Sequence, residues 1–540
     1  MAYFKANTSN IAVTLFGFHF LLFMHLVLPN GGGSDLYLPQ NSFAWIFISL
    51  ISFLGIVCVF RKQKLEYTRV LLIFSFALVI LVVPVFYKQS SGLPNRLIAM
   101  AALLFFYFSL VQLELNRKHK LVILYFILIS ATCQCLYVFF EIVKPIPESQ
   151  LYGYKYSIRP GGVFQQPNVL ASYLASSIPL SIILMSFSQG GETIKRALVL
   201  ITVFMSSFVL FVLQSRTGLI GASLAFILSI PLLIMKSRKL TGLIVLSLSL
   251  GVTAGLLADI KEGVRSAESF QRIEHRLNLY SASFDMILEK PFTGFGYGNF
   301  ERSYREFIAD NRENYNEEVI FKTVFSHPHN EFLYWGIEGG VLSIIALLVL
   351  VIGGFYLLKG KEWSLILAIM GLFFPIAFHT QTELPFYLSI THAIIFLFFI
   401  YCFDFKVERV FFCINKKLKL LLYPLPVFSA VFMLSNLYTI YVFYEYERNG
   451  KKDPSVLSKV VNPMTLSLKF EGEVNYLMLY KALKDNDRMN LFNYISWSEK
   501  ALSKWPRKGI YINRIVALKA LGKIEQAKIV ENEMKHLFPE

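Results

Sequence analysis

Long apolar runs, separated by short basic or Gly/Pro-rich segments, recur along this chain and constrain it more than any other feature. Val70–Phe86, Leu121–Val143 and Val341–Leu358 are examples. Each is long enough to cross a hydrocarbon core of about 30 Å as a helix. Thirteen such runs can be drawn, roughly 11–28, 42–60, 70–86, 97–113, 121–143, 168–187, 197–213, 218–235, 240–258, 331–358, 364–378, 388–403 and 420–444. The first lacks a small-residue cleavage site after it and reads as a retained span. The expected fold is an all-α polytopic membrane protein with about 13 transmembrane helices. The tenth run is long enough to tilt or to project beyond the bilayer.

Composition agrees with this class. Of 540 residues, 55% are hydrophobic and only 16% charged. A soluble surface needs roughly a quarter charged residues. The net charge of +16 raises the question of a nucleic-acid partner. Placement of the charge answers it. With the N-terminus in the cytoplasm, the cytoplasmic segments hold 20 Lys and Arg, including Arg61, Lys62, Lys64, Arg117, Lys118, Lys236 and Lys239, against 6 in the short opposite loops. That bias is the positive-inside rule and sets the orientation. No basic stripe interleaves with aromatics, so nucleic acid is excluded as a partner. Thirteen spans would leave the C-terminus on the far side of the membrane.

None of the five cysteines, Cys58, Cys133, Cys135, Cys402 and Cys413, falls in a far-side loop. No structural disulfide is therefore expected. Two far-side segments exceed the length of connectors, about 144–167 and 259–328. The second contains an amphipathic stretch, Phe270–Leu288, with Ile273, Leu277, Tyr280, Phe284 and Leu288 at helical intervals. It is broken by the glycine-rich turn Pro291-Phe292-Thr293-Gly294-Phe295-Gly296-Tyr297-Gly298. Ordered loops of this length usually carry function. The chain thus divides into a membrane domain, 1–444, and a small helical C-terminal domain, 445–540. The stretch Ala517–Ala527 has the helix–Gly–helix look of a tetratricopeptide-like unit. Asp485-Asn486-Asp487 in this tail reads as a solvated turn.

Four clusters on the far side concentrate ionisable and polar groups at the membrane boundary, where they are costly to keep. Arg159 precedes Pro167-Asn168, where a proline suits the first helical turn and the dipole favours an anion. Arg216 lies in the tight turn Gln214–Gly218 and requires a counter-ion, either a local carboxylate or a phosphate matched to its fork. Arg272 and Arg276, four apart near His275, share a helix face that suits an anionic lipid head group or plain solvent. Finally, Ser326-His327-Pro328-His329-Asn330-Glu331 opens the tenth run. An imidazole there can accept a proton from a hydroxyl nucleophile, with Asn330 or Glu331 orienting the ring. The His-x-His pair, with His379, could alternatively hold a metal, although no carboxylate set completes such a site. Glu383, in the turn His379–Pro385, is a candidate partner for one of the arginines.

Taken in order, Arg159…Pro167-Asn168, Ser215-Arg216-Thr217, Arg276 with Pro291…Gly294-Phe295-Gly296, and His329-Asn330 before a glycine-rich span resemble the O-antigen ligase/polymerase superfamily. Within it they look most like the PglL-type bacterial O-linked protein oligosaccharyltransferases. The resemblance implies a GT-C-like membrane glycosyltransferase of the bacterial inner membrane, with a large periplasmic loop, a periplasmic active face and C-terminal domain, and no cofactor or metal. It implies transfer of a glycan from undecaprenyl diphosphate to a Ser/Thr hydroxyl of an acceptor protein such as a pilin. In that reading His329 is the catalytic base. Arg216 and Arg276 bind the diphosphate, with Arg159 a third, and Asn168, Asn330, Glu383 and Arg272 complete the substrate-binding set. An O-antigen ligase or polymerase acting on lipid A core or a growing glycan is the alternative. A transporter would instead show ionisable residues within the spans and broken, pseudo-repeated helices. Few such charges and no inverted repeat are evident.

Overall fold

The computed structural model describes residues 2–87, 90, 94–143, 159–188, 192–258, 266–315, 325–404, 407–411 and 416–539, without the side chains of 2–6, 143, 266–275 and 416–418. Each of the thirteen apolar runs falls on a helix. Among the described residues, eleven helices are long and apolar enough to cross a membrane. The other two, Trp363–His379 and Ile390–Phe403, are shorter, at 17 and 14 residues. The protein is an all-α polytopic membrane protein. One small addition was not expected: Lys64–Thr68 pairs antiparallel with Val407–Phe411. The buried Glu66 accepts hydrogen bonds there from Lys64 at 2.6 Å and Arg409 at 3.0 Å.

The chain forms two compact units. The first comprises Met1–Ser75, Ala101–Ile260 and Leu350–Thr465. Its central helix, Pro167–Phe187, packs against Arg117–Val143, Thr193–Leu213, Arg216–Lys236 and Trp363–His379. Lipid gives no hydrophobic drive for helices to associate, so close packing must supply it. Small residues allow that approach. A Cβ on Gly218 would lie 2.4 Å from that of Ala171, and one on Gly371 would lie 2.7 Å from the Ala225 carbonyl. The buried serines of the central helix return their hydroxyls to the backbone, Ser176 to Ser172 O at 3.0 Å and Ser186 to Ile183 O at 2.7 Å. Those two hydroxyls are thereby satisfied without solvent.

The second unit comprises Phe76–Met100, Lys261–Val349 and Leu466–Glu540. The amphipathic helix of the long loop is real and runs Ser266–Glu289. The side it buries differs from the one its periodicity suggests. Leu277, Phe284 and Leu288 are 63%, 56% and 61% exposed, whereas Leu279, Ala282 and Met286 are buried against Phe300, Tyr304, Ile308 and Ile337. The following helix, Phe300–Asp310, contributes half of that small core.

The segment Glu331–Tyr356 is two helical stretches joined at a break at Gly340, where φ is 67° and ψ −160°. Side-chain-bearing residues are essentially excluded from that conformation. The break frees backbone groups, and the glycine-rich turn takes them up. Phe295 N donates to Ile337 O at 2.8 Å, Gly296 N to Glu338 O at 2.9 Å, and Val341 N to Pro291 O at 2.7 Å. The approach is too close for a side chain on Gly294, whose Cβ would meet Glu338 O at 2.4 Å.

The C-terminal helices Ser467–Asp485, Arg488–Leu502, Lys508–Ala520 and Ile524–Leu537 stack each on the next. Asp487 caps the second of them through the amides of Met489 and Asn490, so the Asp-x-Asp is a turn. The stack joins helix Phe300–Asp310 through Arg507–Glu301 at 2.9 Å, Arg302–Glu533 at 2.9 Å and His536–Asp310 at 2.9 Å. Ala309 enters the core formed by Leu502, Tyr511 and Leu518.

Glu301 gives this joint a pH dependence. Burial pushes its carboxyl up to about 7, against the pull of Arg507 and Arg305. Between about 4.5 and about 7 the unfolded chain has lost that proton and the folded chain keeps it. Stability contributed here is therefore full at the acid end and declines as pH rises through that window. Glu301→Gln should flatten the decline. In a detergent melting series the wild type should lose Tm relative to the variant as pH rises through the window. Parallel profiles would contradict this assignment.

Candidate functional site

In the first unit, the segment after Arg159 is fixed from the helix Arg117–Val143. Glu141 accepts from Gly162 N at 3.2 Å and Gln134 Oε1 from Val163 N at 3.3 Å. The amide of Gln134 donates to His25 Nδ1 at 2.7 Å, while His25 Nε2 faces Phe20 O at 2.9 Å. Since Phe20 O can only accept, His25 carries its proton on Nε2. Gly162 and Gln165 have φ of 56°, which turns the chain into Pro167, the first helical residue.

Helix capping then brings three of the expected residues to one corner. Gln166, rather than Asn168, caps the central helix by accepting from Val169 N at 2.7 Å. Asn168 Oδ1 instead accepts from the Ser215 hydroxyl at 2.8 Å. Ser215 in turn caps helix Arg216–Lys236 through Gly218 N. Arg159 donates to Leu213 O at 3.3 Å, satisfying the end of helix Thr193–Leu213. Thr217 meets Thr382 at 3.2 Å, so the turn His379–Glu383 lies at the same corner. Glu383 is buried there.

Of the two counter-ions the sequence allows Arg216, a local carboxylate is not found among the described residues. The Arg216 side chain is exposed, and among the described residues it has no hydrogen-bond or ion-pair partner. The cap formed by Ser215 and the contact at Gly218 fix its backbone while the guanidinium projects outward.

Sequence reasoning missed the polar group beneath this corner. Ser172 Oγ lies 2.8 Å from His379 Nδ1 and 3.1 Å from His392 Nε2, and all three residues are buried. Ser172 is one turn beyond Asn168, and His379 O accepts from Glu383 N at 2.9 Å. The trio thus ties the central helix to the turn that carries Glu383. Ser172 is one of several serines in its helix and His392 lies in a strongly apolar one, so neither gave a local signal beyond a polar residue within a span.

In the second unit, His329 lies on a short arm ahead of helix Glu331–Tyr356. Its φ is 54°, a conformation uncommon for a side-chain-bearing residue. Several contacts hold it. His329 N donates to His327 Nδ1 at 3.2 Å, Tyr280 donates to His329 O at 3.2 Å, and the two imidazole rings lie 4.4 Å apart at 70°. Asn330 Oδ1 accepts from Leu333 N at 3.1 Å and so caps the helix, leaving His329 just outside it. The ring is half-buried. Arg276 is half-buried on helix Ser266–Glu289 and, among the described residues, lacks a polar partner. The side chains of Arg272 and His275 lie outside the described residues.

An imidazole on a constrained arm can accept a proton, and fixed guanidinium groups can hold an anion. Comparison with known proteins gives these features a context. A family model described as O-antigen ligase matches residues 201–348, which contain Arg216, Arg272, Arg276, His329 and Asn330. Another, described as the C-terminal part of a virulence factor membrane-bound polymerase, matches residues 367–540, which contain Glu383 and the stacked C-terminal helices. Arg159 and Asn168 precede both segments. No curated protein matches the chain. The two matched segments together cover more than half of the sequence, and they support a membrane glycan-transferring ligase. The chain belongs to the O-antigen ligase/polymerase superfamily.

Proposed function

We propose that this protein is a PglL-type O-oligosaccharyltransferase of the bacterial inner membrane. It moves a glycan from undecaprenyl diphosphate to a Ser or Thr hydroxyl of an acceptor protein such as a pilin. The observation that carries the reading is the content of the segment matched as O-antigen ligase. It holds the constrained His329 together with Arg216 and Arg276, two guanidinium groups with no polar partner among the described residues.

In the reaction the acceptor oxygen attacks the anomeric carbon while His329 takes the hydroxyl proton. The bond between that carbon and the phosphate oxygen breaks, and its electron pair leaves with the lipid diphosphate. Arg216 and Arg276 stabilise the charge that develops on the leaving group. Arg159 serves first as the cap on Leu213 O and is the more remote candidate. A single displacement inverts the anomeric carbon. Orientation follows from the charge bias, with the N-terminus cytoplasmic and His329, Arg216 and the 445–540 domain periplasmic.

A second reading stays within the family. The descriptions of the two matching family models, a ligase and a polymerase, favour an acceptor that is itself a glycan or lipid A core. The two are separated by co-expressing the protein with a lipid-linked glycan and a candidate pilin, then weighing the pilin intact. Our reading expects added glycan mass on the pilin. An unmodified pilin with a shifted lipopolysaccharide ladder would replace it with the second.

A further inference from the structure

Arg96 stood in the sequence only as one of the few basic residues on the far side. In the second unit it is buried at the start of helix Asn95–Leu113. Its guanidinium lies over three rings, Trp335 at 4.0 Å, Tyr334 at 4.2 Å and Tyr297 at 5.0 Å. It also donates to Glu338 Oε2. The other oxygen of Glu338 accepts from Phe300 N at 3.0 Å, the first amide of helix Phe300–Asp310. One carboxylate therefore joins three helices.

That joint sits directly behind the His329 arm. Tyr334 and Trp335 occupy the first turn after Asn330, and Tyr334 N donates to Asn330 O at 3.0 Å. Trp335 Nε1 donates to Glu331 at 3.2 Å. Beyond the joint, the Gly340 break and the glycine-rich turn prevent the helix from sliding or continuing straight. Tyr297 of that turn bonds Leu81 O at 2.9 Å and Ser343 Oγ at 2.8 Å. The arm, its first helical turns and the break are thus all fixed against Arg96.

A buried ion pair is a poor device for stability alone, because desolvation offsets most of the attraction. An apolar pair of similar volume would serve as well. What the ion pair and its aromatic box supply is direction, through one planar cation stacked among rings and one carboxylate with both oxygens engaged.

We infer that Arg96 and Glu338 are positioning residues that set the place of His329 for transfer. The inference rests on the reading of His329 as the base. Neither residue touches the reacting groups.

The double variant Arg96→Met/Glu338→Met tests it. Removing both charges avoids a lone buried ion, so the protein should accumulate and melt near the wild-type temperature. If the pair positions the base, kcat falls on the order of 10²-fold with KM little changed. Recovery of kcat together with stability would overturn the inference. Arg96→Lys provides a second route if the double variant fails to accumulate. It keeps the charge but loses the planar stack, and should retain folding while lowering kcat; wild-type turnover would overturn the inference here too. An activity-independent check is the maleimide labelling rate of Ser326→Cys, an exposed position on the arm. A shifted rate with full turnover would retain the clamp but remove His329 from the reaction. An unchanged rate with unchanged turnover overturns the positioning role outright.

Discussion

Replacing His329 should lower glycan transfer by about 10²–10⁴-fold, the range that a positioned general base contributes. The choice of variant matters because the residue has a φ of 54°. Alanine there adds a backbone cost of about 1–2 kcal/mol in the left-handed region, which would confound a loss of activity with a loss of fold. Asparagine tolerates that region far better. His329→Asn should therefore keep the bond from Tyr280 to His329 O and the cap at Asn330, while removing only the basic ring. Both variants should insert, and the asparagine form should accumulate like wild type on size-exclusion chromatography. Transfer by His329→Asn at more than a tenth of the wild-type rate would remove this residue from the role of base.

The second large effect is expected at Arg216. Its exposed guanidinium makes no hydrogen bond or ion pair with the described residues that a substitution could break. Stability should thus be indifferent to Arg216→Ala, while kcat falls by about 10²–10³-fold if the group stabilises a departing diphosphate. Arg216→Lys retains the charge but loses the fork, so it should fall between alanine and wild type. The loss should appear in kcat more than in KM, because charge on the leaving oxygen develops as the bond breaks. Wild-type kcat in Arg216→Lys would show that any cation suffices there. Wild-type kcat in Arg216→Ala would end the phosphate assignment.

The sequence made the helices legible because hydrophobic run length is a local property. All thirteen runs meet helices, although two are short. The His329 arm and the glycine-rich turn were legible as motifs, since proline, glycine and histidine act over a few residues. What stayed hidden was pairing at a distance. Arg96 looked like a stray basic residue, and its partner Glu338 lies 242 positions away. Ser172, His379 and His392 come together from three helices, and nothing local to any one of them marks the meeting. The buried side of Ser266–Glu289 was missed for a related reason. Leu277, Phe284 and Leu288 form an apolar face, but Leu279, Ala282 and Met286 form another, and only tertiary packing chooses between them. At Arg216 the turn was legible, and of the two counter-ions the sequence left open, the local carboxylate is not found among the described residues.

Stoichiometric transfer by the purified protein tests the central proposal most directly. The full chain in liposomes is given a defined undecaprenyl-diphosphate-linked glycan and a protein acceptor, and both products are counted. The account predicts one molecule of undecaprenyl diphosphate released for each glycan gained by a Ser or Thr, dependent on His329. Release of the lipid diphosphate with no gain by the protein, or equal transfer by His329→Asn, would contradict it.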